Sequence, residues 1–312
     1  MIECVKWEFA WISKRKRMKH VGNYLVLILF FAISPLVSLG QTSFDMTYKD
    51  GRYFITTSLN GHDNIEILVA SGFHGIIVSE DDYGRLFVDS LYQTVDSNIT
   101  GIKNFYGRDS VTKVKYGKVS IGDLSYQGNI YVVDKYSKIN IPVHLLKNEK
   151  DSTAYLARLD FDQETLDFVR QEAISKTNMH QYKMVESSPL PIIEATLFIS
   201  DTYGHLGSIE GRFLFNLNSG SPLYLCVRNP SALNFIRKNK FRILPAQDKA
   251  GNEVGKGILA AVCQVGERKR RKVAIGVGGR MNLPNVLGCI GPSMFRKSYV
   301  VIDSKNHIMY YE

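Results

Sequence analysis

The chain has 312 residues, 45% of them hydrophobic and 22% charged. This is the composition of an ordinary globular protein with ample material for a core, in one large domain or two medium ones. The formal net charge is +9. The first 40 residues supply +4 of it, and the remaining +5 is too mild to indicate a nucleic-acid partner.

The N-terminus has the pattern of an export signal. A basic segment, KRKRMKH, precedes the apolar run YLVLILFFAISPLVSLG, and polar QTS follows. This order predicts a signal peptide over residues 1–40, with translation starting at Met1 or Met18. A signal anchor is the alternative, but the run contains Pro35 and is short for a membrane span. We expect a periplasmic, cell-surface or secreted protein with no stable span after cleavage.

Four cysteines are present, and cleavage would leave Cys226, Cys263 and Cys289. An odd number leaves at least one thiol unpaired, and buried free cysteines are the favoured interpretation. Metal-ligand spacings of Cys and His are absent and the seven His are scattered, so no metal and no cofactor are predicted.

Strand patterns dominate the chain after residue 44. Alternating apolar residues and Gly-containing turns predict strands through the first half. Residues 162–177, DQETLDFVRQEAISKT, are predicted to form a helix capped by Asp162. In the second half, NPSALNFIRKN predicts a short helix with Asn229 at the N-cap and Pro230 following it. Residues 253–276 predict a hairpin with a basic tip.

The two halves have a similar order of elements, which indicates an internal duplication. We predict a first lobe at 44–165, a helix end and linker at 166–189, and a second lobe at 190–312. Each lobe contains an apolar run, one small or polar residue, Ser-Gly and another apolar run. These stretches are ILVASGFHGIIVS and LFNLNSGSPLYL.

These stretches resemble the catalytic loops of the pepsin/retropepsin-like aspartic peptidases, in particular the two-lobed exported bacterial type. The closing segment CIGPSMFRKSYVVIDSKNHIMYY is similar to the end of that family's second lobe. In the first lobe, YLARLDF is the proposed match, with Arg158 where Gly is usual. The resemblance implies a mostly β, two-lobed, pepsin-like fold.

The resemblance also implies a pair of aspartates, one from each lobe, which share a water and act as base and acid. Here Ala70 is aligned with the first Asp and Asn218 with the second, while the supporting Ser-Gly pairs are retained. Since Ala and Asn cannot take a proton from water, the usual peptidase chemistry should be absent. The residues expected to line the ligand site are Ser71, Gly72, His74, Ser219 and Gly220.

Other chemistry has weaker support in the sequence. Asp201 and Asp303 are typical of turn residues, and Asp160 and Asp162 of capping residues. A Ser nucleophile would need His74 and an acid, and neither Ser-Gly pair has the Gly-x-Ser-x-Gly pattern. The basic run of Arg268, Lys269, Arg270, Arg271 and Lys272 is expected to be a solvated hairpin tip or a site for an anionic partner.

The sequence therefore predicts an exported pseudo-peptidase that binds an extended peptide or another linear polymer between its lobes. Two alternatives stay open. One is an active hydrolase or peptidase with a rearranged site that uses His74, and the other is a structural or assembly protein that docks an anionic partner through the basic run.

Overall fold

A computed structural model describes one compact unit, Thr42–Glu312. Its described residues are 42–104, 107–135, 138–148, 155–174, 178–247, 253–279, 281, 283 and 285–312. The predicted signal peptide lies outside them. Within the described part of the chain, no helix is both long and apolar enough to cross a membrane.

Most of the described residues lie in strands. The strands of the first half are β1 (Thr42–Asp45), β2 (Thr47–Lys49), β3 (Arg52–Leu59), β4 (His62–Ala70), β5 (Ile76–Ser79), β6 (Gln93–Thr94), β7 (Gly101–Asn104), β8 (Gly107–Ile121), β9 (Leu124–Val133), β10 (Ile139–Pro142), β11 (Lys147–Asn148), β12 (Leu156–Asp160) and β13 (Thr165–Val169). The helices of this half are α1 (Glu80–Leu86) and 3-10 turns at Asp89–Leu91, Val143–Leu145 and Gln171–Ala173.

The second half contains a similar set of elements. Its strands are β14 (His180–Lys183), β15 (Ile192–Asp201), β16 (Leu206–Phe215), β17 (Leu223–Cys226), β18 (Leu244–Gln247), β19 (Glu253–Val265), β20 (Arg268–Gly278), β21 (Val286–Ile290), β22 (Tyr299–Asp303) and β23 (Ile308–Tyr311). Its helices are α2 (Pro230–Lys238) and a 3-10 turn at Pro292–Phe295.

Each half closes a sheet into a barrel. In the first lobe the order is β9-β5-β10-β4-β3-β8, and β8 pairs back onto β9. In the second lobe the order is β17-β20-β19-β15-β16-β21, and β21 pairs back onto β17. Closure pairs the backbone groups at the strand edges. Apolar side chains such as Ile67 and Leu225 fill the barrel interiors.

The same connections recur in both lobes, as the duplication predicts. A hairpin leads into a strand that pairs in parallel with a later strand, β4 with β10 and β16 with β21. The short strand after the Ser-Gly stretch pairs antiparallel to that later strand, β5 with β10 and β17 with β21. A 3-10 turn then follows β10 and β21 in their respective lobes.

A third sheet joins the two halves, in the order β1-β13-β12-β22-β23-β14. Its central pairing is between β12 of the first half and β22 of the second, with Leu159 opposite Val300. One hydrophobic cluster contains buried side chains from both barrels and from this sheet, among them Ile67, Leu159 and Leu225. The halves therefore share a core.

The predicted helix at 162–177 is wrong. Residues Thr165–Val169 form β13, which pairs with both β1 and β12, and Gln171–Ala173 make a 3-10 turn. Positions 175–177 of the predicted helix lie outside the described residues. The cap is also wrong, because Asp160 accepts the backbone N–H groups of Asp162 and Gln163 in a turn between two strands. Pairing on both sides of β13 outweighs the helical spacing of its apolar residues.

The second predicted helix is confirmed as α2. The side chain of Asn229 caps it by accepting from the N–H groups of Ser231 and Ala232, and Pro230 begins it. A helix that was not predicted, α1, follows β5. The Ser79 hydroxyl caps it by accepting from the N–H of Asp82, and its first turn is acidic.

Candidate functional site at the junction of the lobes

Ser71 fastens one barrel to the other. It follows Ala70 at the end of β4 and is fully buried. Its hydroxyl donates to the carbonyl oxygen of Phe215 at 2.7 Å and accepts from the N–H of Leu217 at 3.0 Å. Both hydrogen-bonding directions of the hydroxyl are thus used inside the protein. Ser71 was predicted to contact a ligand, and its burial contradicts that prediction.

The two residues bonded to Ser71 flank Asn216, and this identifies the position that faces Ala70 across the junction. The strand registers give the same answer. Ile141 pairs with Val69 and precedes one 3-10 turn, while Ile290 pairs with Phe215 and precedes the other. Val69 therefore corresponds to Phe215.

It follows that Ala70 corresponds to Asn216, and the alignment of Ala70 with Asn218 is wrong by two residues. Ser71 then corresponds to the buried Leu217, and Gly72 to Asn218. The error came from the Ser219-Gly220 pair. It has the same two residues as Ser71-Gly72, but it lies two positions further along the loop. Gly220 is exposed, and a Cβ built on it would meet nothing within 4 Å.

Asn216 is held in one orientation by the loop that follows it. Its side-chain oxygen accepts from the N–H of Asn218 at 3.0 Å. A Cβ added to Gly72 would lie 2.7 Å from that same oxygen. The two loops therefore meet at Gly72 and Asn216, where the absence of a side chain allows close approach.

The second-lobe loop presents polar groups that are partly exposed. The side-chain oxygen of Asn218 is itself buried and has no hydrogen-bond partner among the described residues. The Ser219 hydroxyl donates to the carbonyl of Ser221 and lies 3.8 Å from the Cys289 sulfur. The loop thus holds the unpartnered Asn218 oxygen beside the Ser219 hydroxyl and the side-chain amides of Asn216 and Asn218.

His74 lies in the first-lobe loop beside two aromatic rings. Its ring stacks on Phe73, with centroids 5.0 Å apart, and its Nε2 is 3.3 Å from the Tyr131 hydroxyl. Burial lowers the pKa of His74, which favours the neutral ring. No carboxylate is among the hydrogen-bond partners found for this ring within the described residues.

The closing segment packs closely against the second-lobe loop. A Cβ on Gly291 would meet the carbonyl oxygens of Ser221 and Ser219 at 2.2 and 2.8 Å. The first-lobe counterpart of Gly291 is Pro142, which likewise precedes a 3-10 turn. The match of YLARLDF with this segment is therefore wrong. Arg158 lies in β12 opposite Val301 of β22 and away from the turn.

Comparison with known proteins identifies the fold. No protein-family model matches the chain, and no curated protein matches its sequence. Among solved structures it is similar to the aspartic proteinase from Irpex lacteus, with a TM-score of 0.53 and 12% identity. The match covers 87% of this chain and 97% of that one. The fold is two-lobed and pepsin-like. At this identity the likeness shows the fold alone.

The remaining predicted residues lie elsewhere in this pepsin-like fold. Asp201 is a turn residue as predicted, and its carboxylate accepts from the backbone N–H groups of Tyr203 and His205 and contacts the His205 ring. Asp303 caps the turn before β23 by accepting from Asn306. The three cysteines are free and buried, as favoured. Within the described residues, no group of three or more His, Cys, Asp or Glu is arranged to hold a metal.

The basic run does not form the hairpin tip. The turn is at Gly266 and Glu267, and Arg268–Lys272 lie in β20, paired with Val265 and its predecessors in β19. Arg268 is bonded to backbone carbonyls of the closing segment. Arg268, one of the five residues predicted to meet an anionic partner, therefore has a structural role.

Proposed function

We propose that this pepsin-like protein is an exported pseudo-peptidase, which holds an extended peptide or another linear polymer at the junction of its lobes without cleaving it. The observation that carries this proposal is the pair of Ser71 hydrogen bonds to Phe215 and Leu217. They make Ala70 and Asn216 the two residues at the positions where an aspartic peptidase needs carboxylates.

Neither of these residues can perform the proton transfers of hydrolysis. Ala70 presents a buried methyl group. The Asn216 amide has no proton affinity near neutral pH, and its oxygen is occupied by the Asn218 N–H. General acid–base groups typically contribute 10²–10⁴-fold to a rate, and a carboxylate pair also generates the attacking water.

The loop chemistry suits binding better than catalysis. The unpartnered oxygen of Asn218 is buried in the free protein, so the side chain must rotate to offer it to an N–H group, such as one from a peptide backbone. Strand-like ligands obtain affinity from backbone hydrogen bonds, so binding does not depend on the missing carboxylates. Asn218 and the partly exposed His74 and Ser219 are the residues that we assign to ligand contact.

Hydrolysis based on His74 is the rival function. The rival needs a nucleophile beside the ring, and Ser71 is buried and fully bonded to the second lobe. The neighbours found for His74 are Phe73 and Tyr131. The rival predicts turnover that disappears in His74→Ala.

A restoration experiment tests the catalytic half of the proposal. Wild type, Ala70→Asp/Asn216→Asp and the control Ala70→Asp/Asn218→Asp are incubated with a diverse peptide mixture at acid and neutral pH. We expect cleavage only by the Asn216 variant, and inhibition of it by transition-state analogues of aspartic peptidases. Cleavage by wild type would overturn the proposal, and its loss in His74→Ala would establish the rival.

Binding is tested separately, since a buried new carboxylate can destabilise the fold. The thermal shift caused by the same peptide mixture is measured for wild type and Asn218→Ala. Because the Asn218 oxygen is buried without a partner within the described protein, its removal should not lower the free protein's melting temperature, and it should reduce the ligand-induced shift. An equal shift in both proteins would remove Asn218 from the ligand site.

Export is tested on the N-terminus of the protein after expression with its own leader. We expect the mature chain to begin near Gln41, because a small-residue exit follows the apolar run. A full-length chain that stays in the membrane fraction would instead support the signal anchor.

A further inference from the structure

Strand geometry sorts the basic run of β20 into two sets. Successive side chains point to opposite faces of a strand. Arg268 points toward the closing segment, where its guanidinium donates to carbonyl oxygens of Met294, Arg296 and Glu312 at 3.4, 3.2 and 3.0 Å. Lys269 and Arg271 are exposed, so these two cations belong to the outside of the second barrel.

Rows of side chains cross four neighbouring strands on this outside. One row runs from Leu206 in β16 to Ser200 in β15, Val262 in β19 and Arg271 in β20. The adjacent row places Phe198 of β15 and Lys269 of β20 on either side of Gln264. The rows carry apolar groups at one side and cations at the other.

Large apolar side chains are exposed at the same end of the barrel. Leu206 is 63% exposed, and Tyr203 and Leu259 are each 47% exposed. They are neighbours, since the N–H of Thr202 donates to the carbonyl of Leu259 and Tyr203 belongs to the turn that leads to Leu206. A third cation, Arg242, lies 4.5 Å above the Tyr203 ring.

We infer that this outer face, formed by Tyr203, Leu206, Leu259 and Val262 with the cations Lys269 and Arg271, docks on the surface of an anionic lipid bilayer. Apolar side chains beside basic ones match the two layers of such a surface, since the former reach the acyl boundary and the latter the headgroups. A soluble polyanion would satisfy the cations and leave the exposed Leu side chains in water.

Cations outnumber the exposed carboxylates near the face. The Asp201 carboxylate is buried and accepts from His205 and from backbone N–H groups. Glu267 is exposed in the turn two residues before Lys269, and the exposed Glu210 lies two rows beyond Leu206, opposite Thr196. Lys269, Arg271 and Arg242 exceed these two carboxylates, so the face keeps a net positive charge around its apolar centre.

Co-sedimentation with vesicles tests the inference, using the compact unit Thr42–Glu312 without the apolar leader, which would itself bind lipid. The vesicles contain phosphatidylglycerol in phosphatidylcholine, or phosphatidylcholine alone. Leu206→Ser/Leu259→Ser removes apolar contact and Lys269→Gln/Arg271→Gln removes charge. The matched controls are Val88→Ser/Leu91→Ser, which are 62% and 73% exposed on the first lobe, and Lys147→Gln/Lys183→Gln on other strands.

We expect the wild-type protein to bind the anionic vesicles. Each face variant should bind them about tenfold more weakly or worse, and added salt should weaken the binding of every protein. The controls should bind like wild type. Amide exchange of the segment Thr202–Leu206 should slow when anionic vesicles are added. The same occupancy of the two vesicle types would overturn the inference, as would equal losses in controls and face variants. Binding to dextran sulfate but to neither vesicle would replace the bilayer with a soluble polyanion.

Discussion

Ser71 and Gly72 carry the geometry of the junction, and each does so through one physical property. The Ser71 hydroxyl bonds to two backbone groups of the other lobe in a buried site, where an unpaired backbone group is costly. Gly72 allows the two loops to approach closely. Together they fix the position of Asn216 relative to Ala70, even though neither of these two residues can do acid–base chemistry.

The role of Gly72 predicts an asymmetry between two glycines. Gly72→Ala would place a methyl group 2.7 Å from the Asn216 oxygen, so the Asn216 side chain must move and give up the N–H of Asn218, at a cost of about 1–3 kcal/mol in unfolding free energy. Gly220→Ala meets open space and should change stability by less than about 0.5 kcal/mol. Denaturant unfolding of the two variants measures the difference. A larger loss in Gly220→Ala would restore the original alignment of the second loop.

The sequence was sufficient to locate one half of the site and insufficient for the other. Ala70 and Ser71 were predicted because the first loop keeps its hydroxyl residue and its glycine. The second loop has Leu217 and Asn218 at those positions, and only the later Ser219-Gly220 keeps the familiar letters. The correct residue follows from hydrogen bonds between residues more than 140 positions apart and from strand registers between residues more than 70 positions apart.

His144 predicts a pH dependence of stability. Its ring is fully buried, with Nε2 2.9 Å from the carbonyl of Pro189 and Nδ1 unpartnered among the described residues. Burial lowers the pKa of His144 from 6.5 to about 4. Between these values the unfolded chain binds the proton and the folded chain does not, so stability is complete above pH 6.5 and falls as the pH drops toward 4.

The loss should amount to about 3 kcal/mol, because each unit of difference in pKa is worth about 1.4 kcal/mol. His144→Gln keeps a donor for the Pro189 carbonyl and should flatten this part of the stability profile. The exposed His62→Gln should keep the wild-type slope. Burial also lowers the pKa of His74, which adds a slope of the same sign, so the decisive comparison is between the two variants. Identical slopes in both would show that His144 does not cause the acid loss.

At the scale of elements, local pattern was decisive only where no distant partner competes. The helix α2 has an Asn cap and Pro230 within its own sequence, and it was predicted from them. The segment at 165–169 has helical spacing as well, but it pairs with strands from residues 42–45 and 156–160. Such pairings are invisible in a local window, and they decide the outcome.

The basic run yields a prediction at this scale. Arg268 makes three bonds to backbone carbonyls near the C-terminus, so Arg268→Ala should lower the unfolding free energy by about 1–3 kcal/mol and increase amide exchange in β23. Lys269→Ala, one residue away on the opposite face, should be within about 0.5 kcal/mol of wild type. Equal effects of the two substitutions would contradict the assignment of Arg268 and Lys269 to opposite faces of β20.

At the scale of the molecule, the duplication is complete in topology and incomplete in chemistry. Both lobes keep the barrel, the parallel strand pair and the 3-10 turn under the loop. The hydroxyl that crosses the junction comes only from the first lobe, since Leu217 stands at the matching position of the second. The loop geometry of the two lobes is therefore symmetric, while the residues at Ala70 and Asn216 and at Ser71 and Leu217 are not.

The shared sheet makes a prediction about cooperativity. Leu159 is fully buried in β12, at the pairing between the halves, and Leu159→Ala should cost about 2–5 kcal/mol. Because the core is continuous across both barrels, we expect the loss to appear equally in native-state amide exchange of β9 in the first lobe and β20 in the second. Leu225→Ala, buried within the second barrel, should likewise lower protection in both strands. If each substitution affected only one barrel, the lobes would unfold independently, and the third sheet would connect them without coupling their stability.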